Sequence, residues 1–365
     1  MSTDLRQLLS AEKYLLFYAG RKKLTSRELP PIAVELHWTS DCNYDCTHCS
    51  YGSRRQAKGK LSADQIQSVV NDLIAMKTLA VYLSGGGEPT LIKGWDGYAR
   101  QLMDGGVEVA LITNGVALSD AHAEILRRMN YIAVSVYSTD EGEYRKITGS
   151  RFFDRQWFLP EMVKGNGGTG TVVGARCVLN KINYKNVAAI YLRAREAGYD
   201  YIIFIPAVDY EERGVGLGTG EQEEMLRIIS QSSILFDPAF TNVGNLLARG
   251  ASHYVQMDCR AGMVNAGAGC TAVQIRANAF VNYCGGVWLC QPHIGNPAFR
   301  IGELNDAGFS KIWNSPRHQE VIASLNSEFA AGRCRNCRSI SLNRIADQFD
   351  QGAAALVERP LDPFI

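Results

Sequence analysis

The chain has 365 residues, which is enough for one large domain or for a large and a small one. It is 46% hydrophobic, as globular proteins are, and its 38 basic and 37 acidic residues leave a formal charge of +1. That balance gives no electrostatic basis for binding nucleic acid or an anionic membrane, and without a secretory signal or a bilayer-length apolar run the sequence predicts a cytoplasmic protein.

The chain opens with helical spacing and then alternates between strand and helix patterns. Apolar residues recur at helical intervals over 5–20 and stop at the breaker run ELPP (28–31). Six apolar, β-branched segments then predict strands, and amphipathic segments between them predict helices. The strand segments are 32–38, 80–90, 107–115, 131–138, 171–180 and 201–208, and the helical ones are 61–76, 95–106, 119–129 and 183–198. Such alternation predicts crossover connections and a parallel sheet.

From about residue 255 this alternation stops. The remainder is rich in cysteine, with a hairpin predicted over 274–290 and short helices after it. The predicted fold class is therefore α/β, a partial (β/α)6 TIM-type barrel followed by a small cysteine-rich domain. The predicted divisions are an N-terminal helical extension, the barrel, the cysteine-rich domain and a C-terminal tail: 1–30, 31–254, 255–345 and 346–365.

Three unusual loops follow the first three predicted strands. The first carries Cys42, Cys46 and Cys49, the second is GGGEP (85–89), and the third is TNG (113–115). In a closed or partly closed parallel barrel, function collects on the loops after the carboxyl ends of the strands. The sequence therefore predicts an active site at this edge of the barrel.

Ten cysteines in a reducing compartment are more often ligands or catalysts than disulfides. The first three lie within eight positions, whereas a structural zinc site requires four ligands. A four-iron cube bound by three cysteines leaves one iron open to an outside ligand. The alternatives are a chance cluster or a partial zinc site.

The three-cysteine loop, placed directly after a first strand, resembles that of the radical S-adenosylmethionine (SAM) enzymes. The resemblance implies that the amine and carboxylate of SAM chelate the open iron of a [4Fe–4S] cluster. It also implies that an electron from the cluster cleaves SAM to a 5′-deoxyadenosyl radical, which abstracts a hydrogen atom from an unactivated carbon.

The resemblance implies five further assignments for SAM. GGGEP resembles the stretch whose backbone binds the SAM amine, and the glycines permit close approach of that backbone. This role is carried to Gly86, Gly87 and Glu88, since the Glu88 carboxylate can pair with an ammonium. Ser135 resembles a residue that contacts the SAM carboxylate, and Arg176 or Arg151 would supply its cation.

One position departs from the family pattern. The residue before the third cysteine is usually aromatic in these enzymes and packs near the adenine. Here it is His48, whose planar ring can also stack. The adenine-packing role is therefore carried to His48.

The later cysteines resemble an auxiliary-cluster region. A cysteine, a hairpin glycine (Gly285), a second cysteine and a distant CxxC recur there, and in this chain the four cysteines are Cys270, Cys290, Cys334 and Cys337. No cysteine follows Cys337, which resembles the shortened, SPASM-like form with one auxiliary [4Fe–4S] cluster, called the twitch domain. The alternative for the same four residues is a zinc site.

The one-cluster architecture is similar to radical SAM dehydrogenases and epimerases of aminocyclitol antibiotic pathways. It implies oxidation of a secondary alcohol on a sugar or aminocyclitol to a ketone, with the auxiliary cluster accepting the electron and a low-potential flavodoxin or ferredoxin as reductant. Asp209 and Glu211, which follow the sixth strand, are candidate bases. Surface solvation explains acidic loop residues equally well.

Two other enzyme activities remain open, together with a non-enzymatic one. An epimerase would need a thiol hydrogen donor. The candidates are Cys177, if its side chain faces into the barrel, and Cys284 in the predicted hairpin; a buried structural thiol is the alternative for each. A maturase of ribosomal peptides often carries a winged-helix leader-binding domain, and the first thirty residues are too short for one. An iron–sulfur electron carrier or zinc scaffold would leave GGGEP without a purpose.

Overall fold

The computed structural model describes most of the chain. The described residues are 12–24, 29–51, 58–165, 170–207, 209, 213–249, 263–264, 267, 269–334, 337 and 339–356. Across these residues, no helix has the length and apolar character that a membrane span needs.

One mixed sheet of nine strands organises the described chain. Its strands run in the order β6-β5-β4-β3-β2-β1-β7-β8-β9. Every neighbouring pair from β6 to β7 is parallel, whereas β8 pairs antiparallel with both β7 and β9. The strands are β1 (Ala33–Leu36), β2 (Ala80–Leu83), β3 (Glu108–Thr113), β4 (Tyr131–Val136), β5 (Val172–Leu179), β6 (Tyr201–Pro206), β7 (Asn278–Val281), β8 (Gly286–Trp288) and β9 (Arg300–Glu303). The six predicted parallel strands and the hairpin are confirmed.

Helices cover the outside of the parallel strands, and a second group follows them. The described helices are α1 (Glu12–Arg21), α2 (Ala63–Ala75), α3 (Trp95–Asp104), α4 (Ala123–Leu126), α5 (Glu141–Thr148), α6 (Leu159–Lys164), α7 (Val187–Glu196), α8 (Thr219–Gln231), α9 (Val243–Arg249), α10 (Thr271–Gln274), α11 (Phe309–Trp313), α12 (Pro316–Ala330) and α13 (Ile340–Asp350). Helix α13 runs across the predicted boundary at 345/346, so that boundary falls inside a helix.

Helix α2 shows how the sequence fixes a helix start. The Ser62 side chain accepts the Gln65 N–H at 3.1 Å, and the Gln65 side chain accepts the Ser62 N–H at 2.9 Å. This capping box satisfies two backbone donors that the first turn leaves unpaired. The apolar face of the helix then packs on the sheet, with Ile66, Val69, Val70 and Leu73 buried.

The C-terminal region continues the barrel sheet. Strand β7 pairs with the free side of β1, with Ala33 opposite Asn278 and Leu36 opposite Val281. Helix α1 belongs to the same region, because its Tyr14 and Leu15 pack in one buried cluster with residues of α10 and α13. Strands β1 and β7 therefore connect the two cysteine-bearing regions through backbone hydrogen bonds.

Candidate active site

The first three cysteines lie on the loop of residues 39–51 that follows β1, here called the cysteine loop. The Asp45 N–H donates to the Thr148 carbonyl at 2.7 Å, and the Thr47 N–H donates to the Ile147 carbonyl at 2.9 Å. These carbonyls are free to accept because α5 ends there, at Gly149 with a φ of 67°. The end of α5 therefore holds the cysteine loop in place.

The three thiols are half-buried and form no disulfide. Sγ of Cys42 accepts the Tyr44 N–H at 3.5 Å and lies 4.0 Å from Nδ2 of Asn114. Sγ of Cys46 lies 3.7 Å from the Tyr137 hydroxyl oxygen. Weak donors around sulfur suit thiolates, which are the form that binds iron.

The glycine loop, residues 84–89, lies directly against the cysteine loop. The Gly87 N–H donates to the Thr39 carbonyl at 2.7 Å, and the Glu88 N–H donates to the Asp41 carbonyl at 2.8 Å. A Cβ at Gly87 would overlap the Asp41 carbonyl, so only glycine permits this approach. No described residue donates a hydrogen bond to the carbonyls of 85–87, so these oxygens can accept from a ligand ammonium.

The Glu88 side chain has a different role from the one the resemblance implies. It is 3% exposed, and burial raises its pKa above the ordinary value. Oε1 accepts the hydroxyls of Thr90 at 2.6 Å and Thr113 at 2.7 Å, while Oε2 accepts the Asn114 N–H at 2.8 Å. The carboxylate therefore ties the glycine loop to the loop after β3. Its pairing with a SAM ammonium remains a prediction.

His48 is buried beside the cysteine loop. Its ring centroid lies 5.2 Å from that of Tyr137, and Nδ1 has no hydrogen-bond partner among the described residues. Burial, followed by the charge of Arg213, lowers the pKa of His48 to about 4. The same Arg213 donates from Nη2 to the Cys49 carbonyl at 2.7 Å. A neutral, flat ring fits packing against an adenine, which stays a prediction.

Ser135 and Arg176 lie side by side on the barrel-interior face. They are paired in the register of β4 and β5. Arg176 is half-buried and forms no hydrogen bond or ion pair with another described residue. A guanidinium in this state is suited to bind a carboxylate, and the role of the two residues toward the SAM carboxylate stays a prediction.

The four later cysteines line one cavity of about 250 Å³: Cys270, Cys290, Cys334 and Cys337. Burial raises the pKa of Cys290 well above its usual value, and the three neighbouring thiols raise it further. Within the described ranges, no three or more His, Cys, Asp or Glu side chains are spaced to hold a single metal ion. A four-iron cube attaches each cysteine to a different iron, so it spreads its ligands more widely than one ion does.

The structure gives no support to Asp209 or Glu211 as a catalytic base. The Asp209 carboxylate accepts the N–H groups of Arg213 at 2.9 Å and Val215 at 3.0 Å, so it caps its own loop. Glu211 lies outside the described residues. Both acidic residues remain unassigned as bases.

Cys177 does not meet the condition on which its candidacy as a hydrogen donor depends, namely that its side chain faces into the barrel. Cys177 is fully buried in the main core with Ala175 and Leu179, while the half-buried Arg176 and Val178 take the other face of β5. Successive residues of a strand alternate faces, so Cys177 points away from the interior. Burial also raises its thiol pKa strongly. The hydrogen-donor role therefore loses its geometric basis.

Two residues near the site were missed in the sequence. His37 is fully buried at the end of β1, and Tyr51 lies two positions after Cys49 and lines the cavity of the auxiliary cysteines. The alternation of 33, 35 and 37 on one face of β1 could have indicated His37. No local signal indicated Tyr51.

Comparisons with known proteins match both regions. The Radical SAM superfamily model matches residues 36–194, and the SPASM model, an iron–sulfur cluster-binding domain, matches 270–338. Mycofactocin maturase MftC from Mycolicibacterium smegmatis is 25% identical over 84% of this chain and 75% of its own length.

Solved structures share the fold. Streptococcus suis SuiB bound to precursor peptide SuiA aligns with a TM-score of 0.61 at 15% identity, over 85% of this chain and 70% of SuiB. The chain anSMEcpe with bound AdoMet and Cp18Cys peptide aligns with a TM-score of 0.59 at 16% identity, over 92% and 94%. These likenesses support the partial barrel followed by a cysteine-rich domain.

The residues present fit the cofactors of both regions. Three half-buried thiols leave one position of a four-iron cluster open beside backbone carbonyls that can accept an ammonium, and four further thiols surround one cavity. The chain therefore contains a radical SAM domain, which binds SAM and a [4Fe–4S] cluster, followed by a SPASM domain, which binds auxiliary iron–sulfur clusters.

Proposed function

We propose that this radical SAM enzyme is a maturase that modifies a peptide. The observation that carries the proposal is the match to mycofactocin maturase MftC, which extends over 84% of the chain. SuiB and anSMEcpe, which share the fold, have been solved with peptides bound. Their low identity makes them support for the fold, and the substrate class rests on MftC.

The shape of the site suits chemistry between two clusters. When bound and reduced, SAM on the first cluster would supply a radical that removes a hydrogen atom from a substrate carbon. Ser50 and Tyr51 of the cysteine loop line the same cavity as the four auxiliary cysteines. The cysteine loop therefore reaches the auxiliary-cluster site, and a substrate bound beside this loop, outside the cavity, would lie close to both cofactor sites, so that an electron from the oxidised carbon has an acceptor.

The test uses anaerobically purified full-length protein reconstituted with iron and sulfide. Candidate precursor peptides are taken from short reading frames beside the coding sequence, and each is incubated with SAM and dithionite. We expect one peptide to raise the rate of 5′-deoxyadenosine formation and to change mass in step with it. The variant Cys42→Ala should form neither product, because it lacks a ligand of the first cluster.

Oxidation of a secondary alcohol of a sugar or aminocyclitol is the second candidate function. It is favoured by the four-cysteine site that the described residues form, because a closed cluster can accept the electron of a carbon-centred radical. The same assay is run with aminocyclitols, and a keto product is trapped with a hydrazine reagent. Stimulation by aminocyclitols and by none of the peptides would overturn the maturase proposal.

A further inference from the structure

We propose that His37 is a positioning residue that sets the separation between the glycine loop and the cysteine loop, and thereby the affinity for SAM. The ring belongs to a hydrogen-bonded chain of three residues, Glu35–His37–Tyr51. Glu35 and His37 lie on the interior side of β1, and Tyr51 lies on the cysteine loop. The chain therefore connects the floor of the site to one of the two loops that SAM must contact.

Both ring nitrogens of His37 are engaged. Nε2 lies 2.9 Å from Oε1 of Glu35, and Nδ1 lies 2.5 Å from the Tyr51 hydroxyl oxygen. A carboxylate can only accept, so Nε2 carries the hydrogen and Nδ1 accepts the hydrogen of the Tyr51 hydroxyl. Two hydrogen bonds at opposite positions fix the plane of the ring as well as its location.

The fixed ring is the surface on which the glycine loop rests. Gly85 packs so closely on His37 that a Cβ at Gly85 would overlap three ring atoms. Gly85 has a φ of 58°, a left-handed conformation that favours glycine. The position of the ring therefore decides how far the backbone of residues 85–87 can move toward the barrel interior.

Tyr51 carries this constraint to the cluster ligands. It lies two residues after Cys49, and its ring meets the His37 ring edge-on with centroids 5.4 Å apart. The resemblance to radical SAM enzymes implies that SAM contacts the glycine loop and the open iron position at the cysteine loop. Its affinity therefore depends on the separation that His37 and Tyr51 maintain.

The two loops are also joined on a second side, which protects the fold. Glu88 bonds to Asn114, and Nδ2 of Asn114 donates to Oδ1 of Asn43 at 2.6 Å. The Gly87 N–H also remains bound to the Thr39 carbonyl. A change at His37 should therefore loosen the geometry of the site without releasing either loop.

The test measures SAM binding rather than turnover. Wild type, His37→Gln and Tyr51→Phe are purified anaerobically as full chains and reconstituted. Labelled SAM is titrated by equilibrium dialysis, and the EPR spectrum of the reduced first cluster is followed in parallel. We expect His37→Gln to raise the Kd for SAM about tenfold, which is typical when a residue that orients the ligand-binding groups is replaced. Tyr51→Phe should raise the Kd less. Iron content should stay at the wild-type value.

The double variant His37→Gln/Tyr51→Phe should weaken SAM binding by less than the product of the single effects, because both act through one chain. The control is His318→Gln, which removes another fully buried imidazole, bonded to the Trp313 carbonyl. It should lower the melting temperature and leave the Kd unchanged. Kd values within twofold of wild type for both single variants, or a loss of iron that parallels the loss of SAM binding, would overturn the proposal.

Discussion

At the scale of single residues, Glu88 shows how a motif and a side chain can carry different roles. The glycine-rich motif identifies the loop, and the carbonyls of 85–87, which accept no hydrogen bond from the described residues, suit an ammonium ligand. The carboxylate itself points inward and is satisfied by Thr90, Thr113 and Asn114. The Glu88 side chain therefore joins the glycine loop to the loop after β3.

Replacing Glu88 with Gln should reveal that joining role. The amide group keeps the size of the side chain but presents donors to partners that are themselves donors, so at least one buried group loses its bond. We expect the free energy of unfolding to fall by roughly 1–3 kcal/mol and the affinity for SAM to fall with it. Chemical denaturation and SAM dialysis measure the two effects.

The matched control for this variant is Glu124→Gln. That glutamate is exposed and pairs with Arg100 on the surface, so its replacement should change neither quantity. A Glu88→Gln protein with wild-type stability but weakened SAM binding would instead favour direct pairing of the carboxylate with the ammonium.

At the scale of elements, the sequence predicted which segments form strands and helices, but not which face of a strand meets the helices. The six parallel strands follow from apolar segments that alternate with amphipathic ones. Which face of β5 meets the helices depends on packing from α6 and α7, which the strand sequence does not encode. The half-buried Arg176 takes the interior face, which a role toward SAM requires, and the buried Cys177 takes the face that meets the helices.

The same limit explains other omissions. Helices α8 and α9 follow no clear helical pattern in the sequence, because glycines and polar residues interrupt it, and β9 is only four residues long. The Glu35–His37–Tyr51 chain joins a strand to a loop, and the sequence does not place the tyrosine against that strand. Local motifs were predictable, whereas contacts between elements were not.

The placement of Cys177 leads to a prediction about β5. Cys177→Ala removes a buried sulfur from the core, so we expect a loss of stability of about 1 kcal/mol. Because Cys177 points away from the interior, formation of 5′-deoxyadenosine and of product should keep their wild-type ratio. Retained 5′-deoxyadenosine with loss of product would reinstate the thiol as a hydrogen donor.

At the scale of the whole molecule, two sets of cysteines predict two clusters in one chain. Reconstituted protein should contain about eight irons and should cleave SAM after reduction with dithionite. Cys334→Ala/Cys337→Ala should lower the count to about four, because both residues line the auxiliary cavity. SAM cleavage should persist, since the first cluster keeps its three ligands. An iron count unchanged by this double substitution would mean that the C-terminal cysteines hold no cluster.

The pairing of β1 with β7 also protects the protein against aggregation. β1 carries the cysteine loop and His37, and its other neighbour is β2. Without the C-terminal strands, β1 would become an edge strand with a row of unpaired backbone groups, which invites association with other chains. The auxiliary domain therefore acts as a cover for the strand beneath the active site, and a barrel separated from it would be an aggregation-prone fragment rather than a smaller enzyme.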